Sequence, residues 1–308
     1  MTRRIVLPLL LGAAVLSAAA AESDGFLPAG ARLIPLAALP AAPTGAESRK
    51  VVRLAASGRP MMLYRGRLVA LAEQPAGAMA DWTPPAEADP VRDFCWLDGQ
   101  TLALLRGAGL DFIRDGKPVR GIALPGRGRR LARADGTHCY LFGGSREPQN
   151  RDVLLFGADG SVRNLFRAPQ AVTAVAGDGS VTFVATGPLV YFLARGAQPR
   201  LVFRERTAIT DLAYAPPVGV FYATRDGVGC MDSPGSGLIF LRREIASLDS
   251  RRGRLLLLTK DREILLITPL AGFPRAVKNV RRLLTVDAAA AGGADLGGKV
   301  SGDDEPES

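Results

Sequence analysis

Histidine is almost missing from this 308-residue chain: His138 stands alone. A Ser-His-Asp relay would have to use it, and no G-x-S-x-G turn accompanies it. Zinc or copper centres that need two or more histidines are excluded within one chain. Cysteine is scarce too, limited to Cys95, Cys139 and Cys230. Three is an odd number and too few for a fold built on disulfides. Tryptophan occurs only at Trp82 and Trp96, and asparagine only at Asn150, Asn164 and Asn279. Lysine is confined to Lys50, Lys117, Lys260, Lys278 and Lys299, so arginine carries most of the net charge of +9. Aromatics are not interleaved with the basic residues, and nucleic acid is not an expected partner. The three G-x-G runs at 107–109, 126–128 and 227–229 lack the third glycine and the helix of a dinucleotide site. No cofactor is expected.

Long apolar runs are also missing beyond the start. Thr2, Arg3 and Arg4 make a short basic opening, Ile5 to Leu16 is apolar, and Ser17 to Ala21 is small-residue sequence. That three-part pattern over residues 1–21 reads as a secretory signal peptide cleaved near Ala21. It is too short for a membrane helix, and no other segment suffices for a transmembrane span. The expected location is periplasmic or secreted. Removing Arg3 and Arg4 takes the charge from +9 to +7. An arginine surplus outside the cytoplasm suits an acidic protein or an anionic envelope component as partner.

What the chain does contain is a repeat. Apolar runs begin near Val51, Val91, Leu131, Val172, Ile209 and Ile245, about 40 residues apart, the length of one propeller blade. The second unit sets the rule. "VRDFCWL" leads to Asp98-Gly99, then "TLALLR", a glycine turn at Gly107 to Gly109, "LDFIR", Asp115-Gly116 and "VRGIAL". Asp-Gly joins antiparallel strands because glycine accepts positive φ and aspartate tolerates tight turns. Many strands are apolar on both faces, as in sheets stacked between two neighbours. Crossover helices have no room in gaps this short.

The fold class is therefore all-β: a β-propeller of six four-stranded blades, with seven allowed if the N-terminal stretch pairs more extensively. The propeller covers residues 49–286. Residues 22–48 hold "ARLIPLA", a candidate ring-closing strand around Leu33. A final strand of the sixth unit is expected within Ala276 to Leu284. Residues 287–308, Ala/Gly-rich and then acidic, read as a flexible tail.

"ITDLAYAPPVGVFYATRDGVG" and "ASLDSRRGRLLLLTKDREILLI" resemble the units of bacterial exported six-bladed propellers, the TolB-like and NHL-like groups. The resemblance implies architecture only. It also brings an alternative to simple binding. Propeller lactonases hold calcium near the axis with Asp, Asn and Glu, so a metal-assisted, calcium-type hydrolase stays open beside a non-catalytic binding protein. The few asparagines favour binding over enzyme action.

The loops between strands two and three, and those between blades, emerge on one face. They carry Arg106, Arg127, Arg129, Arg146, Arg151, Arg204, Arg206 and Arg225, the candidate binding residues. The longest is Gly143 to Arg151, "GGSREPQNR". The opposite face receives most Asp-Gly turns. His138 reads as a packed strand histidine, and no residue is assigned to catalysis or to a metal. Cys95 and Cys139 lie in neighbouring units and are the one candidate disulfide pair.

Overall fold

The structure, a computed structural model, describes residues 27–38, 51–64, 67–71, 90–107, 109–124, 129–145, 147–216, 218–233 and 236–273. Among these, β-strands and turns account for nearly everything, with two single-turn 3-10 segments at Gln149–Arg151 and Leu270–Gly272. Strand β1 (Arg32–Ala38) comes first. Blade 1 holds β2 (Val51–Leu54), β3 (Pro60–Tyr64) and β4 (Arg67–Ala70). Blade 2 holds β5 (Asp93–Trp96), β6 (Thr101–Leu105), β7 (Gly109–Arg114) and β8 (Lys117–Ala123). Blade 3 holds β9 (Arg129–Arg133), β10 (His138–Gly143), β11 (Asp152–Gly157) and β12 (Val162–Arg167). Blade 4 holds β13 (Ala174–Gly177), β14 (Val181–Thr186), β15 (Leu189–Ala194) and β16 (Arg200–Arg204). Blade 5 holds β17 (Ile209–Ala215), β18 (Gly219–Thr224), β19 (Gly227–Ser233) and β20 (Ser236–Leu241). Blade 6 holds β21 (Ile245–Arg251), β22 (Arg254–Thr259) and β23 (Glu263–Thr268).

The six sheets are antiparallel meanders. Their first strands touch in the cyclic order β2, β5, β9, β13, β17, β21 and back to β2, which closes the ring around a central axis. Closure is completed from the other terminus. β1 pairs antiparallel with β23 and supplies the outer strand of blade 6. The expected ring-closing role of "ARLIPLA" holds. A fourth strand from Ala276 to Leu284 is not needed there, because β1 occupies that place; the segment itself lies outside the described residues.

Burial explains why the strands are apolar on both faces. In β22, Leu255 and Leu257 pack in the seam with blade 5, while Leu256 and Leu258 pack in the seam with blade 1. Each of the six seams has its own apolar cluster, so no blade has a private core. Second strands β6, β14 and β18 are buried throughout, whereas β8 and β12 at the periphery are mostly exposed. The outer strands present Val119, Val162, Leu201 and Leu238 to solvent.

The turns behave as their composition dictates. Asp115 and Gly116 both take positive φ in the two-residue link from β7 to β8, the type I′ geometry that matches strand twist. Asp98, Asp135 and Asp178 each accept two backbone N–H bonds from the second and third residues after them. Each closes the turn between the first two strands of its blade.

Candidate functional site

Charge enters the interior along the first strands. Arg53 of β2 is buried, and its guanidinium donates to Val52 O (3.0 Å), Ser247 Oγ (3.1 Å), Asp93 Oδ1 (3.1 Å) and Leu131 O (3.1 Å). One side chain thus reaches blades 6, 2 and 3 from blade 1. Asp93 in turn accepts Phe94 N–H on Oδ1 and Leu131 N–H on Oδ2. Blade 5, opposite blade 2, repeats the device. Asp211 accepts Leu212 N–H and Arg130 Nη2 on Oδ1 and Leu248 N–H on Oδ2. Arg130 also donates to Thr173 O (2.6 Å) and Thr210 O (2.9 Å), which spans blades 3, 4 and 5. Asp249 accepts Leu54 N–H at 2.6 Å and links blade 6 to blade 1.

Burial works against the Arg53 charge, but Asp93, Asp211 and Asp249 outweigh it and raise its pKa. Burial dominates for Asp249, whose pKa rises despite Arg53 and Arg133. With three N–H donors on each, Asp93 and Asp211 act as clamps between blades. Among the described residues no group of three or more His, Cys, Asp or Glu is placed to hold a metal ion.

The blade-to-blade connections and the turns between second and third strands meet on one face. The link from blade 4 to blade 5 hydrogen bonds to the β14–β15 turn, with Glu205 N–H on Pro188 O and Ile209 N–H on Gly187 O, both 2.8 Å. Thr207 Oγ1 donates to Asp226 Oδ2 of the β18–β19 turn. These contacts bring the segment of Arg204 and Arg206 beside Arg225. All three are exposed, and among the described residues the acid within ion-pair range of Arg225 is its neighbour Asp226 at 3.7 Å. On blade 6 the same face carries ion pairs, Lys260 on Glu244 and Arg243 on Glu263.

Blade 3 contributes the long loop. Arg151 pairs with Glu147 at 3.0 Å, and its carbonyl accepts Ala168 N–H while that of Asn150 accepts Val172 N–H. The loop is thereby pinned to the link toward blade 4. Arg129 at the start of β9 is only 7% exposed. It pairs with Gly143 of β10 and feels the charge of Asp152. Both Asp152 oxygens, however, bind Arg167, at 2.7 and 3.2 Å. Arg129 Nε and Nη1 are buried with no partner, as are Arg151 Nε and Asn150 Oδ1 in the same loop region. Burial lowers the Arg129 pKa, and Asp152 offsets it only in part.

Arg106 sits apart, holding Asp111 at 2.6 Å within blade 2. Arg127 and Arg146 lie outside the described residues, as do residues 1–21, expected to be a signal peptide, and the acidic stretch at 287–308. Cys95 and Cys139 are buried, free thiols whose sulfurs meet in a hydrogen bond across the seam of blades 2 and 3. That contact and burial push the Cys139 thiol up. His138 is half-buried, its Nδ1 between Thr137 Oγ1 and Asp135. The axial charges Arg53, Asp93, Arg130, Asp211 and Asp249 escaped the sequence reading. For Arg53, Asp93, Arg130 and Asp211 the signal was a charged residue at a recurring place in the first strand, "VVRL", "VRDF", "GRRL" and "ITDL"; Asp249 lies two residues beyond that place.

No family model matches the chain, and no curated protein matches its sequence. Solved structures do match its shape. Virginiamycin B lyase from Staphylococcus aureus aligns with a TM-score of 0.54 and 10% identity, over 77% of this chain and 98% of that one. The WD40 β-propeller domain of Doa1 aligns with a TM-score of 0.54 and 10% identity, over 77% and 97%. A gluconolactonase-like protein aligns with a TM-score of 0.55 and 16% identity, over 79% and 93%. At such identities the likeness is one of fold: this chain is a six-bladed β-propeller.

Proposed function

We propose that this chain is an exported, non-catalytic β-propeller that captures an acidic protein or anionic envelope component. It does so through the face that carries its blade-to-blade connections. The observation that carries the reading is Arg129, a guanidinium withdrawn from water whose Nε and Nη1 have no acceptor. Leaving such donors unmet costs about 1–3 kcal/mol, more for a charged group, and a carboxylate or phosphate from a partner supplies the missing acceptor. Arg204, Arg206 and Arg225 add a solvent-exposed positive rim that steers acidic partners toward it.

Binding to poly-glutamate, and to vesicles with and without phosphatidylglycerol, tests the reading directly. Wild-type protein is expected to prefer the acidic polymer or the anionic vesicle and to lose that preference as salt rises. Arg129→Met and Arg204→Glu with Arg206→Glu are each expected to weaken it. Equal retention on neutral vesicles, or undiminished binding by these variants, would remove the proposal. The export component has its own check: the mass of the protein from the periplasm should correspond to a chain beginning at Glu22.

A further inference from the structure

The end of the axis away from that face carries a second basic feature. Arg133 ends β9 and Arg251 ends β21, in blades 3 and 6, which oppose each other across the ring. Arg251 crosses the axis and donates from Nη1 to Trp96 O (3.1 Å) and from Nη2 to Leu97 O (3.0 Å) of blade 2. Its guanidinium is thereby fixed, with Nε–H and one further hydrogen on each Nη left over. Both arginines end their strands at the same mouth of the axis, where the Arg133 charge repels that of Arg251 and attracts that of Asp249.

The partners are unevenly distributed. Arg53 and Arg130 each bind a carboxylate and backbone carbonyls, and Arg251 binds two carbonyls. Among the described residues the half-buried Arg133 side chain has no hydrogen-bond or ion-pair partner. Along the axis, among the described residues, four arginines, Arg53, Arg130, Arg133 and Arg251, meet three carboxylates, Asp93, Asp211 and Asp249. Asp135 at the nearby turn is occupied by Thr137 and His138. Exposed Arg252 adds further positive charge beside Arg251. Burial and the Arg133 charge together bring Arg251 down to about 10, an electrostatic cost that an anion between the two would relieve.

We infer that Arg133 and Arg251 form a phosphate-type oxyanion site at this mouth of the axis, taking free phosphate or a phosphomonoester. A tetrahedral anion offers acceptors toward both guanidiniums; a planar carboxylate is matched to a single fork. The site is separate from the arginine-bearing face and does not depend on the function proposed for it.

Calorimetric titration with inorganic phosphate, glycerol phosphate and acetate, at fixed ionic strength, tests the inference. Saturable binding of either phosphate species, tighter than acetate, is expected. Binding of inorganic phosphate alone identifies the free ion as the ligand; tighter binding of glycerol phosphate identifies the ester. Arg133→Gln should weaken binding about tenfold or more, since one charge-assisted fork is lost. Because Arg133 holds no other group, this variant should fold with an unchanged or raised melting temperature. Arg163→Gln, at an exposed position on the outer strand β12, should bind phosphate as wild type does. Absence of saturable phosphate binding, acetate binding as tightly, or Arg133→Gln binding undiminished would each overturn the inference.

Discussion

At the scale of single residues, the same side chain type does opposite things according to what faces it. Arg53 and Arg129 are both buried arginines, 6% and 7% exposed. Arg53 has a carboxylate, a hydroxyl and two carbonyls; Arg129 has two donors without acceptors. Replacing Arg53 by Met leaves Asp93 charged and buried, and breaking a buried pair from one side costs about 3–5 kcal/mol. Arg53→Met is therefore expected to lower the urea midpoint sharply, with part of the loss recovered by adding Asp93→Asn. An unchanged midpoint would show that the axial pair does not hold the blades. Arg129→Met should do the reverse and raise the midpoint, because a desolvated charge with no hydrogen bond is removed. Lower affinity with higher stability in one variant is the signature of a residue kept for binding.

At the scale of elements, the turns are the parts most completely specified by local chemistry. Burial tends to raise Asp98 and Asp135, but the N–H and hydroxyl donors of their own turns prevail and hold both below the usual carboxylate value. A depressed native pKa contributes stability that is present above the unfolded value of about 3.9 and is lost as pH falls through the native one. Asp98→Asn with Asp135→Asn should lower stability at neutral pH and flatten the acid limb below about pH 4, so that variant and wild type converge in acid; urea midpoints across that range measure it. Gly227 makes a stronger demand. It begins β19 at a φ of 142°, and a Cβ there would run into the Leu241 carbonyl of β20. Gly227→Val should destabilise by more than about 2 kcal/mol in the same assay. These features explain what the sequence made legible. Asp-Gly pairs and apolar runs mark hairpins by local rules, so the blades and their common loop face could be read directly. Arg133 and Arg251 could not, because their roles depend on which strands line the axis and which blades oppose each other. The outer strand of blade 6 was ambiguous for a related reason: either terminus could reach the free edge of β23, and only pairing decides that β1 takes it.

At the scale of the whole molecule, that choice determines how the ring is held shut. Each blade exposes two oily faces until its neighbours cover them, so stability resides in the six seams and unfolding should be a single cooperative event. β1 touches the two seams that flank blade 6. Leu33, with Leu27 and Ala31 just before it, packs on the blade 5–6 cluster, while Ile34 and Leu36 pack on the blade 6–1 cluster. Both contacts come from one strand because successive side chains point to opposite faces. A charge at either position therefore strikes one seam, and charges at both strike both. Leu33→Asp and Ile34→Asp should each lower stability by about 2 kcal/mol or more. The pair should approach the sum or exceed it, since loss of β1 also uncovers the edge of β23 and invites association between chains. Pro35→Asp, at an exposed position on the same strand, serves as the control and should change little. Thermal unfolding with size-exclusion chromatography reads both effects. A double variant that stays monomeric and melts with the wild type would mean that the ring is closed without β1.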